Sequence, residues 1–334
     1  MGNNRHASLG LSDEDVLAMY RDMLLTRRLD ERMWLLNRSG KINFVVSGQG
    51  QEAAQIGAGF ALDKTKDYIA PYYRDMGLVL HYGMTAKEVM LHNFAKAEDP
   101  NSGGRQMPGH YGYRDKKIIT GSSPVTTQLP HAVGFALAAK LKKEDFVTLV
   151  AIGDGSSNQG DFHEGLNFAG VHQLPVITFV QNNKYAISVP LDKQIASENI
   201  AVRAESYGMY GKLVNGNDPL QVFEAVKEAK DRALNGEGPS LIEAVTDRLT
   251  AHSSDDNDKV YRSKEELEEM RQQDCVIAFA DYLRELAILT DEIEEEMNQS
   301  IKQEVNDATA YAENASPPDP ATLSDYVYEA QGGE

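Results

Sequence analysis

The middle of the chain alternates short apolar runs with helical segments, and this alternation limits the fold more than any other feature of the sequence. The apolar runs are rich in valine and isoleucine, which is typical of buried strands. Strands that alternate with helices at this spacing form a parallel sheet with helices on both faces. We therefore predict an α/β fold with strands at residues 146–152, 176–180, 212–214 and 241–245 and helices at residues 131–143, 162–172 and 219–234.

Helical segments flank this α/β core on both sides. Ser12 and Asp15 have the spacing of a capping box, and apolar residues recur at helical spacing from Val16 until Gly40 favours an end. Beyond residue 263 the chain is helical and acidic, up to a proline-rich break and a short tail at residues 324–330. We predict an N-terminal helical extension at residues 1–45, an α/β domain at 46–262, and a helical C-terminal region at 263–334 packed on the same domain.

Charge and cysteine content exclude several classes of protein. The formal net charge of −18 opposes binding to a phosphate backbone, and no basic run exceeds two residues, so we expect no nucleic-acid partner. The single cysteine, Cys275, excludes an internal disulfide and a cysteine-based zinc cluster, as is usual in a reducing compartment. The N-terminus is polar, and no apolar run approaches the length of a membrane span. We therefore expect a cytoplasmic protein that is not bound to a membrane.

Polar residues follow two neighbouring predicted strands at the point where each strand ends. The sequence GDG at residues 153–155 ends one strand, and QNN at residues 181–183 ends the next. Open α/β sheets bind ligands at this carboxyl edge, where glycines let the backbone approach a phosphate and the next helix directs its N-terminal amides to the same place. Asp154 and Asn183 add two hard oxygen ligands, which Mg²⁺ prefers. The pattern predicts a magnesium-diphosphate site.

Taken alone, the same segment is compatible with simpler readings. A GDG sequence is usually only a turn. Asp154, Ser156 and Asn158 also resemble a calcium loop, but Gly160 comes one place late for the turn glycine, and Gly165 stands where glutamate is required. A P-loop is excluded because no Gly-Lys-Ser or Gly-Lys-Thr follows, and the glycine spacing does not match a dinucleotide fingerprint.

Several motifs in a fixed order distinguish between these readings. The segment GDGSSNQGDFHEGLNFAGVHQLPVITFVQNN is similar to the thiamine-diphosphate motif, in which GDG is followed by about 26 residues and NN. Its neighbours are APYYRDMG (70–77), GGRQMPGHYG (103–112), GSSPVTTQ (121–128) and RLTAHSSDDNDKVYR (248–262). Over nearly its whole length the chain thus resembles the alpha subunits of thiamine-diphosphate-dependent 2-oxo acid dehydrogenases.

This resemblance implies a cofactor, thiamine diphosphate, and a set of ligands for it. Mg²⁺ would be bound by the side chains of Asp154 and Asn183 and by the backbone carbonyl of Tyr185. The implied cofactor contacts are Tyr73, Arg74, Ser123, Gly155, Ser156, Gln181 and His252. A monovalent cation such as K⁺ would be held by Ser122, Pro124, Thr127 and Gln128.

Three histidines are candidates to face this site. His252 matches a family histidine beside the diphosphate and the reaction centre, and we predict that it is catalytic. It follows a predicted strand and precedes an acidic loop, a setting unlike that of most solvent-exposed histidines. His110 and His131 lie in motif loops and could face the same site.

One requirement of thiamine chemistry is missing from this sequence. Formation of the cofactor carbanion needs a glutamate against the aminopyrimidine ring, and no segment can be assigned to that role. The resemblance implies that a beta subunit supplies this half of the site, in an α₂β₂ assembly, and that the isolated alpha chain is inactive. It also implies oxidative decarboxylation of a 2-oxo acid, with acyl transfer to a lipoyl group on an acyltransferase component.

The substrate class is predicted from the resemblance of three particular segments to one type of 2-oxo acid dehydrogenase. The segments GGRQMPGHYG, TAHSSDDNDKVYR and NKYAISVP resemble the branched-chain type more than the pyruvate type, and a pyruvate or acetoin dehydrogenase alpha subunit is the alternative. A non-catalytic scaffold would be expected to lack a metal ligand, whereas Asp154 and Asn183 are both present. A single-chain thiamine decarboxylase needs a second cofactor-binding domain, for which 334 residues leave little room.

Overall fold

The structure, a computed structural model, describes residues 4–325 and residue 327. Its strands are β1 Tyr68–Ala70, β2 Thr148–Gly153, β3 Val176–Asn182, β4 Tyr185–Ala186, β5 Val189–Pro190, β6 Tyr210–Asn215 and β7 Ser240–Val245. Strands β1-β2-β3-β7-β6 form, in that order, a parallel sheet, and β4 and β5 form a separate antiparallel hairpin. The helices are α1 Arg5–Ser8, α2 Asp13–Arg38, α3 Glu52–Phe60, α4 Met76–His81, α5 Ala86–Asn93, α6 Gln128–Lys142, α7 Gly160–Val171, α8 Pro219–Leu234, α9 Lys264–Gln272, α10 Cys275–Glu285 and α11 Asp291–Asn314.

The predicted α/β fold is confirmed, and the four predicted strands correspond to β2, β3, β6 and β7. Strand β1 was not predicted. It contains only three residues before Pro71, too few for a periodic pattern, and it is defined by its pairing with β2, where Ile69 lies opposite Leu149.

Both faces of the sheet are buried, each against its own layer of helices. In β2, Leu149 and Ala151 join the apolar cluster that contains α2, α3 and α8, whereas Val150 and Ile152 join the cluster that contains α6 and α7. Alternate residues of a strand point to opposite faces, so a strand that is apolar at every position is covered on both sides. This arrangement confirms the predicted helices on both faces.

The N- and C-terminal helices pack against each other and against the same core. Helix α2 begins with the predicted capping box of Ser12 and Asp15, and α10 and α11 pack along it. Arg27 of α2 donates to Glu52 of α3 at 2.6 Å and to both oxygens of Asp274 before α10, at 2.6 and 3.0 Å, in a buried network. The proposed division at residues 45 and 262 stays a prediction, and most of the predicted tail at 324–330 lies outside the described residues.

None of the helices within residues 4–325 has the combination of length and apolar character that crossing a bilayer requires.

Candidate active site

The register of the sheet brings the two predicted polar clusters to one edge. Gly153 at the end of β2 pairs with Gln181 of β3, and Asn182 of β3 pairs with Val245 at the end of β7. The turn that carries Asp154 and the turn that carries Asn183 therefore leave the sheet side by side, at the carboxyl edge where ligands bind in this class of fold.

A cleft of about 470 Å³ opens at this edge. The predicted site residues that line it are Tyr73, Arg74, Ser122, Ser123, Asp154, Gly155, Ser156, Asn183, Tyr185 and His252, together with His110. Apolar residues that the sequence did not point to line it as well, namely Phe44, Val46, Met107 and Ile187. The cleft therefore draws on distant parts of the chain, including a segment just after helix α2.

Some predicted residues are not brought into this cleft. Gln181 is fully buried beneath it, where its amide donates to Asp75 at 2.5 Å and its oxygen accepts from Gln55 at 3.3 Å. The structure therefore does not place Gln181 against a diphosphate, because it still belongs to strand β3 and its side chain packs into the fold. Pro124, Thr127, Gln128 and His131 are likewise absent from the cleft lining.

The loop predicted to hold a monovalent cation surrounds a smaller cavity. Ser122 donates its hydroxyl to the Pro124 carbonyl at 2.8 Å, and the side-chain oxygen of Gln128 is buried without a hydrogen-bond partner. Ser122 and Gln128 both line a cavity of about 10 Å³, whereas Pro124 and Thr127 do not. That volume is enough for roughly one water molecule or one ion.

The acidic side of the cleft is formed by Asp154 and Asn183. Asp154 is buried, and its Oδ2 accepts a hydrogen bond from Gln194 at 2.7 Å. Burial raises the pKa of Asp154, and the Gln194 hydrogen bond opposes that rise. Asn183 Oδ1 accepts from the backbone N–H of Tyr185 at 3.4 Å. Both side-chain oxygens are thus oriented by donors before any ligand arrives.

These oxygens do not make a complete protein metal site. In the part of the chain that the structure describes, no three His, Cys, Asp or Glu side chains converge to hold a metal ion. A cation at Asp154 and Asn183 would need further oxygens from outside the protein. Mg²⁺ bound to a diphosphate has this requirement, because it keeps phosphate and water oxygens in its octahedron.

The β4-β5 hairpin covers the GDG turn closely. A Cβ atom on Gly155 would lie 2.7 Å from the Cβ of Ala186, so only glycine permits this approach. Lys184 and Ile187, which flank β4, have positive φ angles of 72° and 56°. Such angles are disfavoured for residues with side chains, above all for a β-branched residue, and are often found at ligand sites.

The basic side of the cleft is formed by Arg74, which is 2% exposed. Its Nη1 donates to the carbonyl of Ser47 at 2.6 Å, and its Nη2 donates to His252 Nδ1 at 2.9 Å. Its Nε is buried with no hydrogen-bond partner, and no carboxylate of the described residues forms an ion pair with it. A buried guanidinium in this state is poised to receive an anion.

Arg248 adds a second buried positive charge that the sequence did not single out. Its Nη2 donates to the Ile187 carbonyl at 2.8 Å and to the Tyr261 hydroxyl at 2.9 Å, so it fixes the β4-β5 hairpin. Burial, followed by repulsion from Arg74, lowers its pKa. The available signal was its position, three residues after the end of β7 at the ligand-binding edge.

His252 is held as a neutral ring. Burial, and then the charges of Arg74 and Arg248, lower its pKa to about 4. Its backbone N–H donates to Asp256 at 2.8 Å. Because a guanidinium only donates, Nδ1 of His252 must accept from Arg74, and the ring proton is on Nε2. His252 therefore offers a neutral N–H donor to the cleft.

His110 and Ser123, which both line the cleft, are joined by a hydrogen bond. Nδ1 of His110 lies 2.9 Å from the Met107 carbonyl, which can only accept, so Nδ1 carries a proton. In a neutral ring Nε2 is then the acceptor for the Ser123 hydroxyl, which lies 2.6 Å away. His131, by contrast, is exposed on helix α6.

Comparison with known proteins gives the family. A family model described as "Dehydrogenase E1 component" matches residues 20–321. This chain belongs to the dehydrogenase E1 component family. It is therefore an enzyme component, and the E1 family implies thiamine diphosphate as the cofactor.

Individual E1 relatives span almost the whole chain. The 2-oxoisovalerate dehydrogenase subunit alpha of Bacillus subtilis is 62% identical over 98% of this chain and 99% of its own length. The pyruvate dehydrogenase E1 component subunit alpha of the same species is 38% identical over 98% of this chain and 85% of its own length. The human mitochondrial 2-oxoisovalerate dehydrogenase subunit alpha is 36% identical over 96% of this chain and 72% of its own length.

The cleft fits the diphosphate end of this cofactor on chemical grounds. Arg74 has a buried donor to spare, Gly155 permits close backbone approach, and the oxygens around Asp154 need phosphate to complete a metal shell. One cleft therefore offers both a donor for the anionic diphosphate and oxygen ligands for a cation.

Proposed function

We propose that this chain is the alpha subunit of the E1 component of a branched-chain 2-oxo acid dehydrogenase. Together with a beta subunit it decarboxylates 2-oxo acids such as 2-oxoisovalerate and passes the acyl group to the lipoyl group of an acyltransferase component. The observation that supports this proposal is the 62% identity, over nearly full length, to the Bacillus subtilis 2-oxoisovalerate dehydrogenase subunit alpha.

The substrate assignment rests on that relative alone. At lower identity the two substrate classes do not separate, because the pyruvate and 2-oxoisovalerate relatives are 38% and 36% identical to this chain. A pyruvate dehydrogenase alpha subunit is therefore the second candidate. The apolar lining residues Phe44, Val46 and Ile187 suit an uncharged side chain, which both substrates have.

In the proposed site, Arg74 binds the diphosphate and Asp154, Asn183 and the Tyr185 carbonyl bind Mg²⁺. Thiamine diphosphate supplies a carbon nucleophile and an electron sink for decarboxylation. The chain's own residues bind and orient it: Arg74 through charge-assisted hydrogen bonds, Gly155 through the close approach of the backbone, and Tyr73, Ser123 and Ser156 along the cleft lining.

We propose that His252 takes part in proton transfer at the part of the active site that this chain supplies, accepting a proton as the neutral ring and returning it from the imidazolium. Its neutral Nε2–H is oriented by Arg74 on the other ring nitrogen and by Asp256 on its backbone. Burial and then the charges of Arg74 and Arg248 lower the histidine pKa, and an anion bound to Arg74 would offset the charge of that arginine and so raise the pKa towards the range useful for proton transfer. Binding of the diphosphate and the pKa of His252 are thus coupled.

Three further elements belong to the proposal. The beta subunit contributes the glutamate that this chain lacks, in an α₂β₂ assembly with the active site at the interface. K⁺ occupies the small cavity beside Ser122 and Gln128, where the unpartnered Gln128 oxygen is a suitable ligand. The protein works in the cytoplasm, where the buried Cys275 stays a free thiol.

The proposal is tested by assembling the chain with its beta subunit and measuring decarboxylation with an artificial electron acceptor. We expect kcat/KM for 2-oxoisovalerate to exceed that for pyruvate by at least about tenfold, because a pocket shaped for a branched side chain loses contacts with a methyl group. The isolated chain serves as the control and should show no turnover. The opposite preference would favour the second candidate, and turnover by the isolated chain would overturn the two-subunit site.

A further inference from the structure

Asp30 is a buried carboxylate of helix α2. Among the described residues it has no counter-ion, and all its side-chain hydrogen-bond partners lie in one loop. It is 1% exposed and accepts hydrogen bonds from the Ser47 hydroxyl at 2.8 Å, the Gly48 N–H at 2.8 Å and the Gln49 amide at 2.9 Å. We name residues 47–50 the SGQG loop. Nothing in the site so far described uses Asp30, which is absent from the cleft lining.

The SGQG loop lies between the segment that carries Arg74 and the segment that leads to Arg248 and His252. A Cβ atom on Gly48 would lie 2.7 Å from the carbonyl oxygen of Arg74. A Cβ on Gly50, whose φ is +93°, would lie 2.4 Å from the carbonyl oxygen of Asp247. The loop backbone therefore touches the segment of Arg74 on one side and the segment leading to Arg248 and His252 on the other.

The carbonyls of the same loop accept hydrogen bonds from both segments. The Ser47 carbonyl accepts from Arg74 Nη1 at 2.6 Å, and the Gln49 carbonyl accepts from the N–H of Leu249 at 3.1 Å. Arg74 in turn holds His252 through its Nη2. A continuous set of hydrogen bonds thus runs from Asp30, through the SGQG loop, to the guanidinium and the imidazole that face the cleft.

The carboxylate at position 30 is not explained by stability alone. Burial raises the pKa of Asp30, the three hydrogen bonds lower it and the nearby Glu52 raises it, so that the pKa is about 6. Because the folded-state pKa exceeds the ordinary 3.8, Asp30 contributes stability at low pH that is lost as the pH rises from about 3.8 to about 6. All three loop partners are donors, so only an ionised carboxylate accepts from all of them without offering a proton in return.

We propose that Asp30 is a positioning residue for the diphosphate end of the site: it fixes the SGQG loop, and the loop fixes Arg74. This inference rests on the proposed function, because it concerns the same cofactor. Asp30 itself touches neither the cofactor nor the substrate, and its effect is transmitted through Ser47 and Arg74.

The test is the D30N variant, assembled with the beta subunit and titrated calorimetrically with two ligands, magnesium thiamine diphosphate and magnesium pyrophosphate. Asparagine keeps the shape but turns one acceptor into a donor that faces other donors. We expect the Kd for both ligands to rise by about tenfold, the effect of losing one hydrogen bond to a charged group, while kcat at saturating cofactor changes by less than about twofold. The pyrophosphate titration measures binding to the diphosphate end of the site, without catalytic turnover.

D22N is the matched control. Asp22 lies on the same helix and bonds the side chain of His81 at 2.9 Å, away from the SGQG loop. We expect D22N to lower thermal stability while leaving both Kd values unchanged. S47A is the second variant, because it removes one of the donors to Asp30 but keeps the carbonyl that binds Arg74, and we expect a rise in Kd of about threefold.

The outcomes separate this inference from the proposed function. Wild-type Kd values in both D30N and S47A would overturn the positioning role, and a fall in kcat alone, with Kd unchanged, would also contradict it. If D30N fails to assemble, S47A decides: an unchanged Kd overturns the role and a raised one supports it. Failure of the wild-type assembly itself to bind thiamine diphosphate would instead contradict the proposed function.

Discussion

The two sides of the cleft are built in different ways. The acidic side, Asp154 and Asn183, follows two adjacent strands and is oriented by local donors such as Gln194. The basic side, Arg74 and His252, comes from segments that are 178 residues apart and is held by a third segment, the SGQG loop. One side needs only the sheet to be formed, whereas the other needs several loops to meet.

The difference shows how one cleft holds opposite charges without their cancelling each other. No ion pair joins Asp154 to Arg74 or Arg248 among the described residues, so the carboxylate stays available to a cation and the guanidinium to an anion. A magnesium diphosphate carries both charges at once. Changes to the acidic side should therefore abolish binding of the metal-cofactor pair, whereas changes to the basic side should weaken or misalign it.

The largest effect is expected from D154A on the acidic side. Without this carboxylate Mg²⁺ loses its one charged protein ligand, and we expect activity of the assembled enzyme to fall by at least about a hundredfold. Calorimetry should show binding of thiamine diphosphate lost together with its magnesium dependence. D192A, at a carboxylate that is 71% exposed, is the control and should behave as wild type. Near-normal activity of D154A would place the metal elsewhere.

On the basic side, H252A should separate catalysis from binding. Removal of the imidazole should lower kcat by about a hundredfold, which is the usual contribution of a positioned general acid or base. The Kd for thiamine diphosphate should change by less than about threefold, because Arg74 remains. Steady-state kinetics and calorimetry measure the two quantities on the same preparation. Equal losses in kcat and affinity would make His252 a binding residue.

R74K should reveal how much of the basic side depends on geometry. Lysine keeps the charge but cannot donate to the Ser47 carbonyl and His252 along two fixed directions. We expect the Kd for thiamine diphosphate to rise by about tenfold. R28K changes an arginine that is 46% exposed on helix α2 and should leave the Kd unaltered. A wild-type Kd in R74K would mean that charge alone suffices.

The smallest effect concerns the titration of His252. Its pKa is about 4, below the ordinary 6.5, because of burial and the charges of Arg74 and Arg248. Since the unfolded chain binds this proton first as the pH falls, His252 favours the folded state above pH 6.5 and loses that contribution between about 6.5 and 4. R74M should raise the pKa, as measured by NMR of histidine-labelled protein with H252N for assignment. An unchanged pKa would exclude Arg74 as a cause and leave burial and Arg248.

The sequence predicted the acidic side more fully than the basic side. Asp154 and Asn183 could be placed because each comes directly after a strand, and strand ends meet at one edge. Gln181 was placed against the diphosphate, but it is still within β3, and its side chain points to Asp75 inside the fold. The difference between Gln181 and Asn183 depends on where the strand ends, which a motif does not specify.

Arg248 and Asp30 were missed for a different physical reason. Arginine near a strand end and aspartate in a long helix are usually solvated, and nothing in the local sequence shows that both side chains are fully buried here. Their roles depend on contacts with residues 13 to 61 positions away, namely Tyr261, Ile187 and Ser47. Arg74 was predicted only through the family resemblance, and its bond to His252 required the structure.

The position of the SGQG loop, between two segments that are distant in sequence, also affects when the site can form during synthesis. The loop contacts Arg74, early in the chain, and Leu249, about three-quarters of the way along it. During synthesis both contacts can form only after residues beyond 249 have left the ribosome. Contacts between such distant segments form late in folding. Cofactor is therefore expected to bind an almost complete chain, and a truncated or stalled product would carry the strand-end motif without being able to retain the cofactor.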